Sequence, residues 1–382
     1  MRPGKVQYLE GLRGIAAMQV VLLHFVSGFM PDTAQHAWPP LRVLFDGHTA
    51  VYVFFLISGA VLTPSFARPG AFLGKLGKRV VRLSIPVAAA AAIATGLLVL
   101  LPDAHLRAAA LTGSAWLAMD SSGAPTLTHL AREIGLDSLL LGYREATLFA
   151  PLADHLPLME HSLDAPFWSL HLELYGSLLL LCLVSLRAYS AWLHRAAIIA
   201  AALLFGTHPM FLFVLGHICP LPRSRGGLGR TCIGASVLLL GLALCATKDW
   251  RTVEALRLWL SHSELAFAPN LYQFQSQLGA VALYFGVVMC PGVWRLLESD
   301  PCRHLGRLSF SIYLLHFPIL FTLVCAAFVD LHRVFPPAVS TAAAFAFFIA
   351  LILLAAHLFE RWIDRPAIAL SRRAGATRWQ PA

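Results

Sequence analysis

Charge is what this sequence has least of. Of its 382 residues only 13% are Asp, Glu, Lys or Arg, about half the share of an ordinary soluble domain. That scarcity excludes a soluble globule of this size. Other signatures are missing too. The seven cysteines form no CxxC pair and no metal-ligand spacing; most fall in or beside apolar stretches, where cysteine serves as a small core residue. There is no HExxH pair, no GxSxG elbow and no Walker-type loop, so zincin, α/β-hydrolase and P-loop chemistry are not expected and no metal is predicted. No internal repeat is visible, which speaks against the inverted repeats of many transporters. The first apolar stretch is followed by no small-residue cleavage site and reads as a span, not a signal peptide.

What is there is apolar surface in span-length runs. Hydrophobic residues make up 58% of the chain, and the mean hydropathy is +0.69. Candidate spans are 11–30, 49–67, 83–101, 167–186, 196–206, 209–219, 232–246, 276–294, 308–329 and 338–359. A span needs about 20 apolar residues, so the short fifth and sixth are held apart by orientation. With the N-terminus inside, cytoplasmic segments hold twenty of the 29 Lys and Arg residues and outward segments eight, as the positive-inside rule requires. Merging the two short spans would send the basic tail outside. The fold class expected is therefore all-α: a polytopic integral membrane protein with about ten transmembrane helices and both termini cytoplasmic. Residues 1–373 form one membrane domain, and 374–382 a short cytoplasmic tail. The net charge of +9 is distributed by membrane side, not gathered on a patch, so no nucleic-acid partner is expected. The segment 102–166 faces outward with eight acidic residues and three arginines. Its "LDSLLLGY" suggests an interfacial or re-entrant helix.

A few polar residues stand inside these runs, and a charge at bilayer depth is rarely accidental. In "GLRGIAAMQVVLLHF", Arg13 and His24 are eleven residues apart. On a helix that is three turns plus about 20°, so the two share one face roughly 16 Å apart along the axis. Imidazole has the proton affinity of a general base near neutrality; a histidine satisfied by a neighbouring helix is the alternative. In "LGKLGKRVVRLSIP", Arg79 and Arg82 are three apart beside Lys75 and Lys78. They read either as positive-inside anchors or as a forked phosphate site. Glu173, in "FWSLHLELYGS", could charge-balance His24 or Arg13, or only pair helices. His171, two residues earlier, points away from it. In "GRLSFSIYLLHFP", residues 309, 313 and 316 form a polar stripe, with hydrogen bonding between helices as the plainer reading.

Taken together and in order, "YLEGLRGIAAMQVVLLHF", "VFFLISGAVLT", "KRVVRLSIP", "FWSLHLELYG", "LGRLSFSIYLLHFP" and "IDRPAIALSRR" resemble the acyltransferase-3 family of membrane acyltransferases. The resemblance runs from about residue 7 to 373. It implies transfer of an acyl group, acetyl first, from acyl-CoA to a hydroxyl. By resemblance His24 is the catalytic base, with Arg13 and Glu173 as its catalytic companions. Arg79, Arg82 and Lys78 serve the CoA donor, and Ser58, Trp168, Ser311, Tyr313 and His316 are supporting polar residues. The sequence departs from the family pattern at three points: Glu10 replaces an Asp, "YGS" follows Glu173 without the usual aromatic pair, and the terminal motif reads Asp364, Arg365, Pro366. The expected partners are acyl-CoA, the lipid bilayer and an acceptor. That acceptor is first a cell-envelope polysaccharide, otherwise a lipid or a small glycosylated metabolite. The expected location is a bacterial plasma membrane. A secondary transporter or flippase, and a non-catalytic scaffold, are the competing readings.

Overall fold

A computed structural model describes residues 6–119, 125–219, 221, 227–248, 250–260 and 270–374. The tail residues 375–382 and the basic residues Arg2, Lys5, Arg223, Arg225 and Arg378 lie outside them, as does Asp120 of the acidic segment 102–166. Among the described residues there are helices and no strands. The principal ones are α1 (Gln7–Phe29), α2 (Gly47–Phe66), α3 (Phe72–Leu100), α4 (Ala104–Thr112), α5 (Ala165–Tyr189), α6 (Ala191–Phe205), α7 (Met210–Ile218), α8 (Leu228–Ala246), α9 (Leu271–Met289), α10 (Asp300–His332) and α11 (Pro337–Arg373).

Every expected span falls on helical segments, but fewer than ten helices among the described residues reach spanning length. Seven described helices are long and apolar enough to cross a bilayer, and eight if α9 and Pro291–Leu297 count as one span bent by 96°. The bend follows from Pro291, which lacks the N–H to continue the helix and instead opens the next one. The short fifth and sixth spans are α6, of 15 residues, and α7, of 9. At 1.5 Å per residue each falls short of the roughly 30 Å hydrocarbon core.

The chain divides into two compact units. The first takes residues 1–20, 38–76 and 175–307. Here α2 packs on α7, and α9 on α8 and α2. Gly59 of α2 and Gly216 of α7 let the backbones meet: a Cβ on either would collide with the opposite main chain. Small residues allow such contact where lipid supplies no hydrophobic drive between helices. Asp46 caps α2, its Oδ1 accepting from Thr49 N at 3.2 Å, and its Oδ2 accepts from Lys248 Nζ at 2.6 Å. Lys248 also reaches Ser276 Oγ at 2.9 Å. A buried carboxylate is thus paired and hydrogen-bonded, as burial demands.

The second unit takes residues 21–37, 77–174 and 308–382. Within it α10 packs on α4 and α11. Phenylalanines fill its centre: Phe25 lies 4.9 Å from Phe345 and 6.1 Å from Phe348, and Phe29 5.0 Å from Phe328, between ring centroids. The described residues of segment 102–166 are largely helical, as its apolar content suggests. Thr126 caps a short helix, Leu127–Arg132, which widens into π-type turns over Glu133–Leu141.

Candidate active site

His24 lies in the last two turns of α1, within the second unit, beside the C-terminal half of α10. Its Nδ1 is 2.8 Å from Nε2 of His316. The ring planes are within 9° and the centroids 5.0 Å apart, which with so short an N···N contact lays the rings edge to edge. His316 is fully buried. Its Nδ1 is 2.8 Å from the carbonyl oxygen of Tyr313 and 3.1 Å from that of Ile312, one turn back on α10. Carbonyls only accept, so Nδ1 of His316 carries the hydrogen and its Nε2 the lone pair. That lone pair accepts from His24 Nδ1–H. In the neutral ring the remaining nitrogen of His24, Nε2, is therefore the basic one. An α-helix that spends two carbonyls on a side chain thus sets the tautomer of a histidine on another helix.

Aromatic rings enclose the pair. Trp116, from the segment after α4, lies 5.2 Å from His24 and within 10° of parallel; Phe317 stands edge-on at 5.6 Å. Trp116 also meets Phe317 and Phe321 edge-on at 5.9 and 5.0 Å. This wall lowers the local dielectric and strengthens the imidazole hydrogen bond. The Trp116 ring is held by its own segment: Ser114 Oγ donates to Ser27 O at 2.7 Å and accepts from Leu117 N at 3.2 Å.

The arginine pair lies on α3 in the same unit, each member engaged by a carboxylate. Arg79 donates to Glu173 of α5, and Arg82 donates to both oxygens of Asp364 on α11. Arg82 also lies 5.2 Å above the Phe310 ring. Glu173 thus has Arg79 as a partner, a pairing the sequence did not single out, and His24 meets His316. Lys78 is exposed.

The start of α5 is tied to α10 and to the segment before it. Ser169 Oγ and Tyr313 Oη are 2.8 Å apart, and Tyr313 donates to Pro166 O at 2.8 Å. His171 accepts from Leu148 N at 3.1 Å through Nε2 and donates from Nδ1 to Leu139 O at 3.3 Å, a satisfied core histidine. Behind this lies an acid cluster. Glu133 accepts from Tyr143 and, at 3.3 Å, from Leu163 N. Burial pushes its carboxyl up to about 7. Asp164 is fully buried, and its oxygens have no hydrogen-bond partner among the described residues. Burial, then the charge of Glu133, pushes Asp164 well above the usual carboxylate range. Both favour the neutral acid.

The helical architecture and this cluster of motifs agree with the comparison to known families. A family model described as an acyltransferase domain matches residues 6–361, nearly the whole chain. The chain belongs to the acyltransferase-3 family. No curated protein matches it, and no solved structure does. As a member of that family it is a membrane acyltransferase.

Within this acyltransferase, the second unit holds His24, Lys78, Arg79, Arg82, Trp168, Glu173, Ser311, Tyr313 and His316. The first holds Arg13 and Ser58. The stripe read from sequence on α10 is buried, with Ser309, Tyr313 and His316 all inside. Trp116, Phe317 and Asp364 escaped the sequence reading. Trp116 is a lone aromatic among small and aliphatic residues and carries no periodic signal. Asp364 was visible only as a departure from a motif.

Proposed function

We propose that this family member moves an acyl group, acetyl first, from acyl-CoA to a hydroxyl of a cell-envelope glycan, and that His24 is the general base. The observation that carries the assignment is the ordered histidine pair, which leaves the lone pair of His24 on Nε2. The acceptor oxygen attacks the thioester carbon while its proton passes to Nε2. The carbon–sulfur bond then breaks, and the proton leaves with the CoA thiolate. His316 orients the base and shares the charge that it gains. Trp116 and Phe317 keep water from the ring faces. Arg13 is assigned to the negative charge of the donor. Arg79 and Arg82 fix α3 through Glu173 and Asp364, and Lys78 offers an exposed cation to the donor. A bacterial plasma membrane, with acyl-CoA on the basic side and glycan on the outer side, suits this division.

The test is CoA release by purified protein supplied with acetyl-CoA and extracted envelope glycans. Wild type is expected to release CoA only with the glycan present, and His24→Ala not at all. Normal turnover by folded His24→Ala would overturn the assignment.

A further inference from the structure

The donor reading requires cations for phosphate, and the two arginines singled out by sequence are already bound to carboxylates. The first unit offers another place. Where α1 crosses the start of α10, Gly306 sits against the backbone of Glu10, and Gly14 against Gly306; a Cβ on either glycine would collide there. Beside this crossing opens a cleft of about 680 Å³ lined by Glu10, Asp300, Pro301, Arg303, His304 and Arg307. Arg303 and Arg307 are four residues apart and His304 three from Arg307, so all three project from one side of α10.

We propose that this cleft binds the phosphates of the donor's nucleotide end. The inference rests on the acyl-CoA reading above. Its donors are differently placed from those of Arg79 and Arg82. Arg303 pairs with Asp300, whose side chain is 90% exposed, and donates to Gln7 Oε1 at 3.2 Å. Pairs so open to water bind weakly and yield to a better anion. Arg307 donates to Nδ1 of His304 at 2.9 Å, which leaves the hydrogen of neutral His304 on Nε2. The cleft thus offers two guanidinium forks, the geometry that phosphate oxygens accept. Glu10 and Asp300 balance its charge when empty. Glu10 can also accept from a ribose hydroxyl, which free phosphate and a simple lipid headgroup lack.

Calorimetric titration of the full chain, in a neutral detergent without added lipid, separates the possibilities. CoA is expected to bind wild type, and R303Q/R307Q about tenfold or more weakly, the loss of charge-assisted hydrogen bonds. Pantetheine, which lacks phosphates, should bind both proteins alike. R307K, with charge but no fork, should fall between. Equal CoA affinity for wild type and the double variant overturns the cleft and leaves the acyl-CoA reading standing. Pyrophosphate or phosphatidylglycerol binding that the double variant loses, with no CoA binding by wild type, overturns the donor reading and assigns the cleft to another phosphate. If wild type binds none of these probes, both fall.

Discussion

The two units each hold a pair of histidines with nitrogens 2.8 Å apart, and only one pair has the surroundings of a base. In the second unit the pair is His24–His316; in the first it is His194–His217. Both are ordered by an acceptor on the far side of the inner histidine. Thr63 gives its hydroxyl hydrogen to Gly59 O at 2.7 Å, so its oxygen accepts from His217 Nδ1–H at 2.8 Å. His217 Nε2 must then accept from His194. The hydrogen-bond logic is the same as for His316 and His24. The settings differ. His24 meets its partner edge to edge under an aromatic wall, whereas the rings of His194 and His217 are turned 74° from each other. Burial, then the charges of Arg187 and Arg195, disfavour a proton on His194. Tautomer order alone does not make a base; the neighbours must also accept the charge that it gains.

The sharpest way to break this comparison is to remove each outer histidine in turn. His24→Ala should lower CoA release by about 10²–10⁴-fold, the usual worth of a general base. His194→Ala should leave turnover within about twofold, as substitutions away from reacting groups do. Equal losses in the two variants, measured at matched amounts of folded protein, would dissolve the distinction.

The inner histidines sharpen it. His316→Ala should lower kcat by about ten- to a hundredfold with little change in KM, because it frees the tautomer and orientation of His24 without removing the base. His316→Asn, whose amide can accept from His24 Nδ1–H, should recover part of the loss. A change in KM alone, or no rescue by Asn, would assign His316 to substrate binding or to packing instead.

These contacts mark how far the sequence could be read. Helices, spans and the unusual status of Arg13, His24, Arg79, Arg82 and Glu173 were legible, because a polar residue in an apolar run stands out against its cost. The Ser309, Tyr313 and His316 stripe was legible as a helical face. Which residue faces which was not. His24 and His316 are 292 residues apart, and Arg82 and Asp364 are 282 apart; no local period encodes such a pairing. The Arg79–Glu173 pair was not singled out for that reason, since several cationic or imidazole side chains were equally open to Glu173 by composition. The span count is a different matter. Charge bias separates sides of the membrane, but it does not set the length of a helix such as α7.

The second unit also carries a pH dependence of its own through the acid cluster. The carboxyl of Glu133 is raised from 4.5 to about 7, chiefly by burial. A raised carboxyl stabilises the fold below its unfolded value and loses that contribution as pH climbs through the folded one. Thermal stability should therefore fall from about pH 5 to about pH 8, by on the order of 2–3 kcal/mol. Glu133→Gln, neutral throughout and still able to accept from Tyr143, should flatten the profile. An unchanged slope in that variant would place the dependence elsewhere.

The smallest expected effect tests the first unit's pair as structure. Thr63→Val keeps the branched shape of the side chain but removes the oxygen that accepts from His217. His217 is buried, and its Nδ1–H would lose that partner, at a cost of about 1–3 kcal/mol. The backbone of α2 should hold, because Gly59 O loses only a side-chain donor. Melting by scanning fluorimetry should therefore drop by a few degrees while CoA release stays unchanged. Thr63→Ser, which keeps the oxygen, should melt near wild type. If Thr63→Val instead lost turnover at full stability, His194 and His217 would join the chemistry, and the contrast between the two pairs would have to be drawn on other grounds than their neighbours.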